Sequence, residues 1–371
     1  MKEKPCILII ENAIDITGSL NSCLRSSIYL RDQYEFLFIL PTRSKAVELV
    51  TREGFRVFPL PMIEIRKSLK AIARYLPQLI RNAIALRKLI RSNQVDLILN
   101  NDFYNLLPAA YEATGGRTPY VCYVRFMPSK FSSSLVRFWY SAHTRYAKKI
   151  IAVSQAVKSE LPHSDKLVVI GNELPLKPEP LTESTSKMIL YPSNFIQGKG
   201  HEWAVKAFAE VATEFPDWKI RFIGSDMGLE KNAVFKSMLK NLAHQLRIET
   251  QVEWLNYDDN VVMHYQACSM MLNFSESESF SMTCLEAMFY GRPVIATRSG
   301  GPEEIIIDGQ NGLLVDLGNL SQMAAALRRL LTSQGTRQQF GVAAYHHVRQ
   351  KFSAANTIEK LSAVYQSSLL K

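Results

Sequence analysis

The sequence predicts an α/β protein made of two doubly wound parallel-sheet domains facing across a cleft. Three observations predict it. Short runs of apolar and β-branched residues alternate with helix-period segments along the chain. The alternation breaks once, in a proline-rich stretch between Gly171 and Lys187, and then restarts. The 371 residues exceed one ordinary domain and suit two, and at 47% hydrophobic and 21% charged each half can bury a core.

The first strand is read at Cys6–Ile10, a run that stops at Glu11 and is too short for a signal peptide. Further strands are expected at Glu35–Leu40, Val57–Leu60, Asp96–Leu99, Tyr120–Val124 and Lys149–Val153, with helices between most of them. In one of these helices Ile65, Leu69, Ile72, Leu76, Leu79, Ala83 and Ile90 recur at helical spacing. Basic residues crowd the rest of 66–91 with no acid among them, and Pro77 is expected to kink or split the helix. Two readings stay open for it: a sheet-covering helix with a solvated basic face, or an element drawn to an anionic membrane surface.

Pro175, Pro178, Pro180 and a Thr-Glu-Ser-Thr-Ser run then form a linker. Domain boundaries follow at 1–172, 173–187 for the linker, and 188–354. The second set of strands is Met188–Tyr191, Lys219–Ile223, Val252–Leu255, Ser269–Asn273, Pro293–Ala296 and Gly312–Val315. Helices are expected at His201–Glu214, Lys231–Leu246, Asn260–Ala267, Met282–Tyr290, Leu320–Ser333 and Thr336–Lys351, and a last amphipathic helix near Ala355–Leu370.

Composition narrows the function classes. No stretch of about 18 apolar residues is present, so no transmembrane helix is expected. The five cysteines are odd in number and lack a Cys-x-x-Cys pair, which reads as reduced, buried thiols in a cytoplasmic protein. The seven histidines show no ligand spacing, so neither a metal site nor another cofactor is expected. A formal charge of +10 suits a polyanionic partner: nucleic acid, an anionic membrane or a phosphorylated substrate. Without a helix-turn-helix, an aromatic RNA platform or a zinc module, nucleic acid is not expected.

In open α/β sheets ligands bind beyond the carboxyl ends of the strands. The densest signal there runs from Asn273 to Val315. A strand ends near Asn273, small polar residues follow, and a helix begins at Ser281 or Met282. Such a helix mouth presents unpaired N–H groups and the positive end of a dipole, and phosphate fits it. Glu278 stands just before the helix and Glu286 about one turn inside it. Two carboxylates there can hold sugar hydroxyls, completing a nucleotide-sugar site.

This segment resembles the hallmark of retaining glycosyltransferase family 4, the group 1 glycosyltransferases of GT-B fold that include glycogen synthase and mannosyltransferases. Glu278 and Glu286 match its two glutamates, as do Phe280, Ala287, Met288, Gly291, Pro293 and Val294. Gly300, Gly301 and Glu304 match its Gly-Gly-x-x-Glu element, and Gly309 and Gly312 the next turn. Lys199-Gly200 matches its Lys-Gly pair, Gly18 its N-terminal glycine-rich loop, and Asn172 the start of its linker. The tail from Phe352-Ser353 resembles terminal helices that cross back to the first domain, here 355–371.

By this resemblance Glu278 lies by the donor sugar and Glu286 binds the donor ribose. Ser279, Phe280, Ser281 and Met282 frame the diphosphate with main-chain N–H groups, and Lys199 neutralises it. Ser193 and Asn194 replace the family's Gly-Arg, Ser279 and Ser281 its motif glycines, and Arg125 its N-domain histidine. Arg25, Arg125 and Arg298 are the candidates to supply the missing cation. The resemblance implies a retaining enzyme with Glu278, Lys199 and Arg125 as catalytic residues. With no Asp-x-Asp pair, a metal is not required. The donor would be a UDP- or GDP-linked sugar and the acceptor a glycan or lipid-linked molecule in cell-surface polysaccharide or lipopolysaccharide assembly. The expected location is the cytoplasm, extending to the inner face of the membrane. A GT-B epimerase or phosphorylase, and a catalytically idle nucleotide-sugar binder, are the alternatives.

Overall fold

The computed structural model describes residues 4–62, 69–174, 184–258 and 260–370, without the side chains of residues 69–73. The chain divides into two compact units, Met1–Glu173 with Ala355–Lys371, and Leu174–Ala354. Residues 175–183 of the expected linker and 65–68 of the basic segment lie outside the described residues.

In the first unit the order is β1 (Cys6–Ile10), α1 (Gly18–Leu30), β2 (Glu35–Pro41), α2 (Ala46–Arg52), β3 (Arg56–Leu60), α3 (Leu69–Asn93), β4 (Leu97–Asn100), α4 (Leu107–Ala113), β5 (Tyr120–Val124), α5 (Ser133–Tyr146), β6 (Lys149–Ala152), α6 (Gln155–Ser159) and β7 (Leu167–Val169). Among the described residues the strands form a seven-stranded sheet, β3-β2-β1-β4-β5-β6-β7, parallel throughout. The strands β1 and β5 are buried at every position, as a sheet covered on both faces requires. Thr17 starts α1: its Oγ1 accepts the Leu20 N–H at 3.2 Å.

In the second unit the order is β8 (Met188–Pro192), α7 (His201–Ala212), β9 (Lys219–Ile223), α8 (Glu230–Gln245), β10 (Val252–Leu255), α9 (Val261–Ala267), β11 (Met270–Asn273), α10 (Met282–Phe289), β12 (Val294–Thr297), α11 (Pro302–Ile305), β13 (Gly312–Val315), α12 (Leu320–Thr332) and α13 (Gln334–Lys351). Its described strands form a six-stranded parallel sheet, β10-β9-β8-β11-β12-β13. Ile189, Phe208, Phe222, Leu272, Ile295 and Leu327 are among its buried core, and Phe222 stacks on Trp254 with ring centroids 4.6 Å apart. The last helix, α14 (Ala354–Leu369), packs in the first unit, where Tyr34 Oη and Ser362 Oγ share a hydrogen bond of 3.2 Å.

Two features differ from the sequence reading. The strand β7 was not expected, although Leu167, Val168 and Val169 form an apolar run like those of the other strands; it lies at the sheet edge with two half-buried positions, directly before the proline-rich stretch. Of the two outcomes expected at Pro77, a kink or a split, the split does not occur: α3 runs through Pro77 as one element. Pro77 is exposed, on the solvent side of the helix. All five cysteines are free and buried, and burial pushes the Cys23, Cys268 and Cys284 thiols up to about 12.

Candidate functional site

In the second sheet β8 and β11 are neighbours, and the strand order reverses between them. Chains leaving two such strands diverge to opposite sides and open a crevice at their carboxyl ends. The segments that leave here are 193–200 and 274–281, which hold most of the predicted donor residues.

Backbone contacts lock these two segments together. The Glu276 N–H donates to Gly198 O at 2.9 Å. Gly200 is left-handed at φ +73, and a Cβ there would stand 2.0 Å from Phe274 O. Tyr191 bridges the segments: its hydroxyl donates to Lys199 O at 2.6 Å and accepts the Phe274 N–H at 3.0 Å. The result is a salt bridge of 2.8 Å between Lys199 Nζ and Glu278 Oε1, with side chains 34% and 15% exposed. Both groups are thus held still while open on one side to solvent. Asn194 serves the same scaffold: its Oδ1 accepts the Ser225 N–H at 2.9 Å, tying the β8 loop to the β9 loop.

The mouth of α10 is shaped by Asn273. Its Nδ2 donates to Ser281 Oγ at 2.9 Å and Thr283 Oγ1 at 3.3 Å, and its Oδ1 accepts the Ser275 N–H at 3.0 Å. Ser281 caps the helix in the left-handed region, at φ +72, a conformation costly for a residue with a Cβ. Ser279 is half-buried, and Met282 opens the helix. Phe280 is buried and meets Phe352 edge-on at 5.7 Å, so its ring anchors the loop and only its backbone is left for a ligand. In the helix Glu286 is half-buried, and the Tyr265 hydroxyl donates to its Oε2 at 3.2 Å. Burial, then the charge of Glu286, keeps that phenol protonated far above its usual range.

A second loop braces the first. Glu278 N–H donates to Ser299 O at 2.9 Å, and Gly301 N–H to Glu278 O at 2.7 Å. A Cβ on Gly301 would lie 2.4 Å from the Phe280 carbonyl carbon, so glycine permits this approach. Glu303 Oε2 accepts the N–H groups of Ser299 and Gly300 at 3.0 and 2.8 Å and holds the turn. Arg298 donates to Asp308 at 3.0 Å and pairs with Asp316 at 3.5 Å. Sequence reasoning missed Tyr191, Asn273, Tyr265 and Glu303. Glu303 carried a signal, an acid three residues beyond Gly300, while a tyrosine within an apolar strand carries none.

In the first unit a separate polar cluster surrounds the matching switch point, between β1 and β4. Arg125 follows β5 and is buried; its Nε donates to Asn101 Oδ1 at 2.7 Å, its Nη1 to Asn172 Oδ1 at 2.9 Å, and it lies 4.1 Å from the Tyr123 ring centroid. Asn101 also donates to Glu11. Burial raises the Glu11 carboxyl pKa, against hydrogen bonds from Asn101 and Ala13 and the Arg125 charge. Asp102 is raised further by burial and then by Glu11, and its Oδ1 is buried without a hydrogen-bond partner. Arg25 donates to Glu173 O at 3.0 Å. Gly18 opens α1, and an added Cβ there meets no atom within 4 Å. The structure therefore brings Lys199, Glu278, Asn194 and the α10 mouth together in the second unit, and places Arg125 and Gly18 in the first.

Residues 172–347 match the family model described as glycosyl transferases group 1, and residues 30–174 match that of glycosyltransferase family 4. The chain is 32% identical over 194 residues to the N-acetyl-alpha-D-glucosaminyl L-malate synthase of Bacillus anthracis, covering 52% of this chain and 49% of that protein. It thus spans about half the length of that relative. Among solved structures, Anabaena HepE in complex with UDP and glucose superposes with a TM-score of 0.83 at 20% identity, over 97% of this chain and 99% of that one. The lipopolysaccharide outer core galactosyltransferase WaaB gives 0.72 at 16% identity, over 98% and 99%. At these identities the likeness shows a shared GT-B fold.

Proposed function

The chain belongs to the group 1 glycosyl transferases of GT-B fold, and from that membership we propose that it moves a sugar from a nucleoside-diphosphate donor to an acceptor hydroxyl with retention at the anomeric carbon. The observation that carries the reading is the Lys199–Glu278 ion pair at the switch point of the second sheet, on the loop that leads into α10.

Diphosphate is a strong anion, and the ammonium of Lys199 and the N–H groups at the α10 mouth are fixed donors for it. When diphosphate takes Lys199, the Glu278 carboxylate is released to accept hydrogen bonds from sugar hydroxyls. Glu286, oriented by Tyr265, accepts from the ribose hydroxyls. In a front-face displacement the acceptor oxygen bonds to the anomeric carbon as the bond to the diphosphate breaks, and a phosphate oxygen takes the acceptor proton. The protein then contributes positioning and charge stabilisation at the leaving group. No metal is routed through this step. Among the described residues no group of three His, Cys, Asp or Glu side chains is placed to hold one.

UDP and UDP-glucose occupy solved HepE structures, and WaaB is a galactosyltransferase of the lipopolysaccharide outer core. Those neighbours support a UDP-sugar donor and a cell-surface glycan or lipid-linked acceptor here. The test is a thermal-shift panel of UDP, GDP, ADP and their sugars, followed by product analysis with the sugar that stabilises most. Stabilisation by one nucleotide series with transfer of its sugar supports the proposal. Stabilisation without transfer to any acceptor would favour an idle binder, and turnover of the nucleotide sugar alone an epimerase.

A further inference from the structure

We propose that the outer face of α3 is a docking surface for an anionic lipid bilayer. The helix turns one side inward, where Asn82, Ala83, Leu86 and Ile90 are buried. On the other side Leu76, Ile80 and Ile84 are 59%, 57% and 63% exposed. At a spacing of four residues they form one stripe along the helix. Three large aliphatic side chains in line are more than the scattered apolar residues a soluble surface normally shows.

The charges beside the stripe select the occupant. Arg74, Arg81, Lys88 and Arg91 are all exposed; by helical rotation the first three follow the apolar row on its far side from the core, and Arg91 continues the row towards the end of the helix. The whole of α3 carries no acidic residue. Helix α3 packs on α4, and α4 on α5, where Phe138 is exposed beside Arg137. A second copy of this surface would bring like charges together, so self-association through it is opposed. Nucleic acid would use the cations but leave the aliphatic row in water. A bilayer with anionic headgroups uses both: headgroups meet the guanidinium and ammonium groups while the aliphatic side chains enter the acyl boundary. Among the described residues no helix is long and apolar enough to span a membrane, so this contact lies on the surface. The inference stands apart from the donor site, because none of its residues belongs to that site.

The test is co-sedimentation of the full chain with vesicles of phosphatidylcholine alone and of phosphatidylcholine mixed with phosphatidylglycerol, at low and high salt. Binding to the anionic vesicles at low salt, weakened by salt, is expected. Arg81→Gln with Lys88→Gln should lower partitioning about 25-fold, at about fivefold per charge. Ile80→Ser with Ile84→Ser should lower it about tenfold at either salt. All four positions are exposed, and an unchanged thermal shift with nucleotide shows that each variant is folded. Equal binding to neutral vesicles, wild-type binding by both variants, or preference for a competing oligonucleotide over the vesicles would each overturn the proposal.

Discussion

Lys199 and Glu278 stand 79 positions apart in the chain and meet at 2.8 Å, because the strands that precede them are neighbours in the sheet. The pair is a placed cation and a placed anion on opposite walls of one crevice. A charge-assisted contact of this kind is worth about 1.5–3 kcal/mol. Lys199→Met should therefore weaken nucleoside-diphosphate binding about 10- to 100-fold, read by calorimetric titration, while Lys199→Arg recovers part of it. Unchanged affinity in Lys199→Met would remove the diphosphate role.

Glu286 makes a different prediction. Its carboxylate is half-buried and accepts from the Tyr265 hydroxyl. Glu286→Ala should lower kcat/KM for the donor about 100-fold and leave the melting temperature within a few degrees of wild type. Tyr265→Phe keeps the carboxylate and removes the hydrogen bond from the phenol, and should cost about fivefold. Steady-state kinetics with varied donor will decide.

Two glycines separate packing from ligand space. Gly200→Ala forces a side chain into the left-handed region and against the Phe274 carbonyl. It should destabilise the second unit by about 3 kcal/mol or more, seen as a drop of about 6 °C or more in its melting transition. Gly18→Ala meets open space and should leave stability within about 1 kcal/mol of wild type. If Gly18→Ala nonetheless lowers activity, the space belongs to a substrate; full activity would make Gly18 a plain helix start.

Buried histidines set a pH dependence. Burial lowers His143 and His201 from 6.5 to about 4, and His201 donates its Nε2–H to Ser193 O at 3.2 Å while its Nδ1 is buried without a partner. The unfolded chain takes up a proton near pH 6.5 that the folded chain refuses until about pH 4. Their stabilisation is thus complete above pH 6.5 and lost as pH falls towards 4, up to about 3 kcal/mol for each. The raised carboxyls of Glu11, Asp102 and Glu173 work in the opposite direction, since the folded chain protonates them first. The clean measurement is a difference: wild type minus His201→Gln, by denaturant unfolding at several pH values. It should shrink from pH 7 to pH 4.5, and a flat difference would refute the assignment.

The strands were legible because parallel strands covered on both faces must be continuous apolar runs, as Cys6–Ile10 and Tyr120–Val124 are. The three-residue β7 carries the same signal in Leu167, Val168 and Val169, but it abuts the stretch from Gly171 that reads as linker, and so was not expected. At the site, the residue types near Glu278 pointed to an anion pocket, but pairing with Lys199 depends on strand order, which local pattern does not encode. Tyr191 lies in an apolar strand and reads as core, although its hydroxyl joins two loops. Arg125 was marked by standing where the resembled family has its N-domain histidine; that Asn101 and Asn172 grip it is a contact between distant segments.

The return of α14 to the first unit bears on biosynthesis. The second unit is continuous from Leu174 to Ala354, whereas the first needs residues 355–370 to cover Tyr34, whose ring meets Tyr365 at 5.6 Å. On the ribosome the half that starts later can close earlier, while the half that starts first waits for its final helix. Shortening the chain after Ala354 would strip a wall from a unit more than 180 residues upstream of the cut, a long-range route by which a late stop codon disables an early-made sheet.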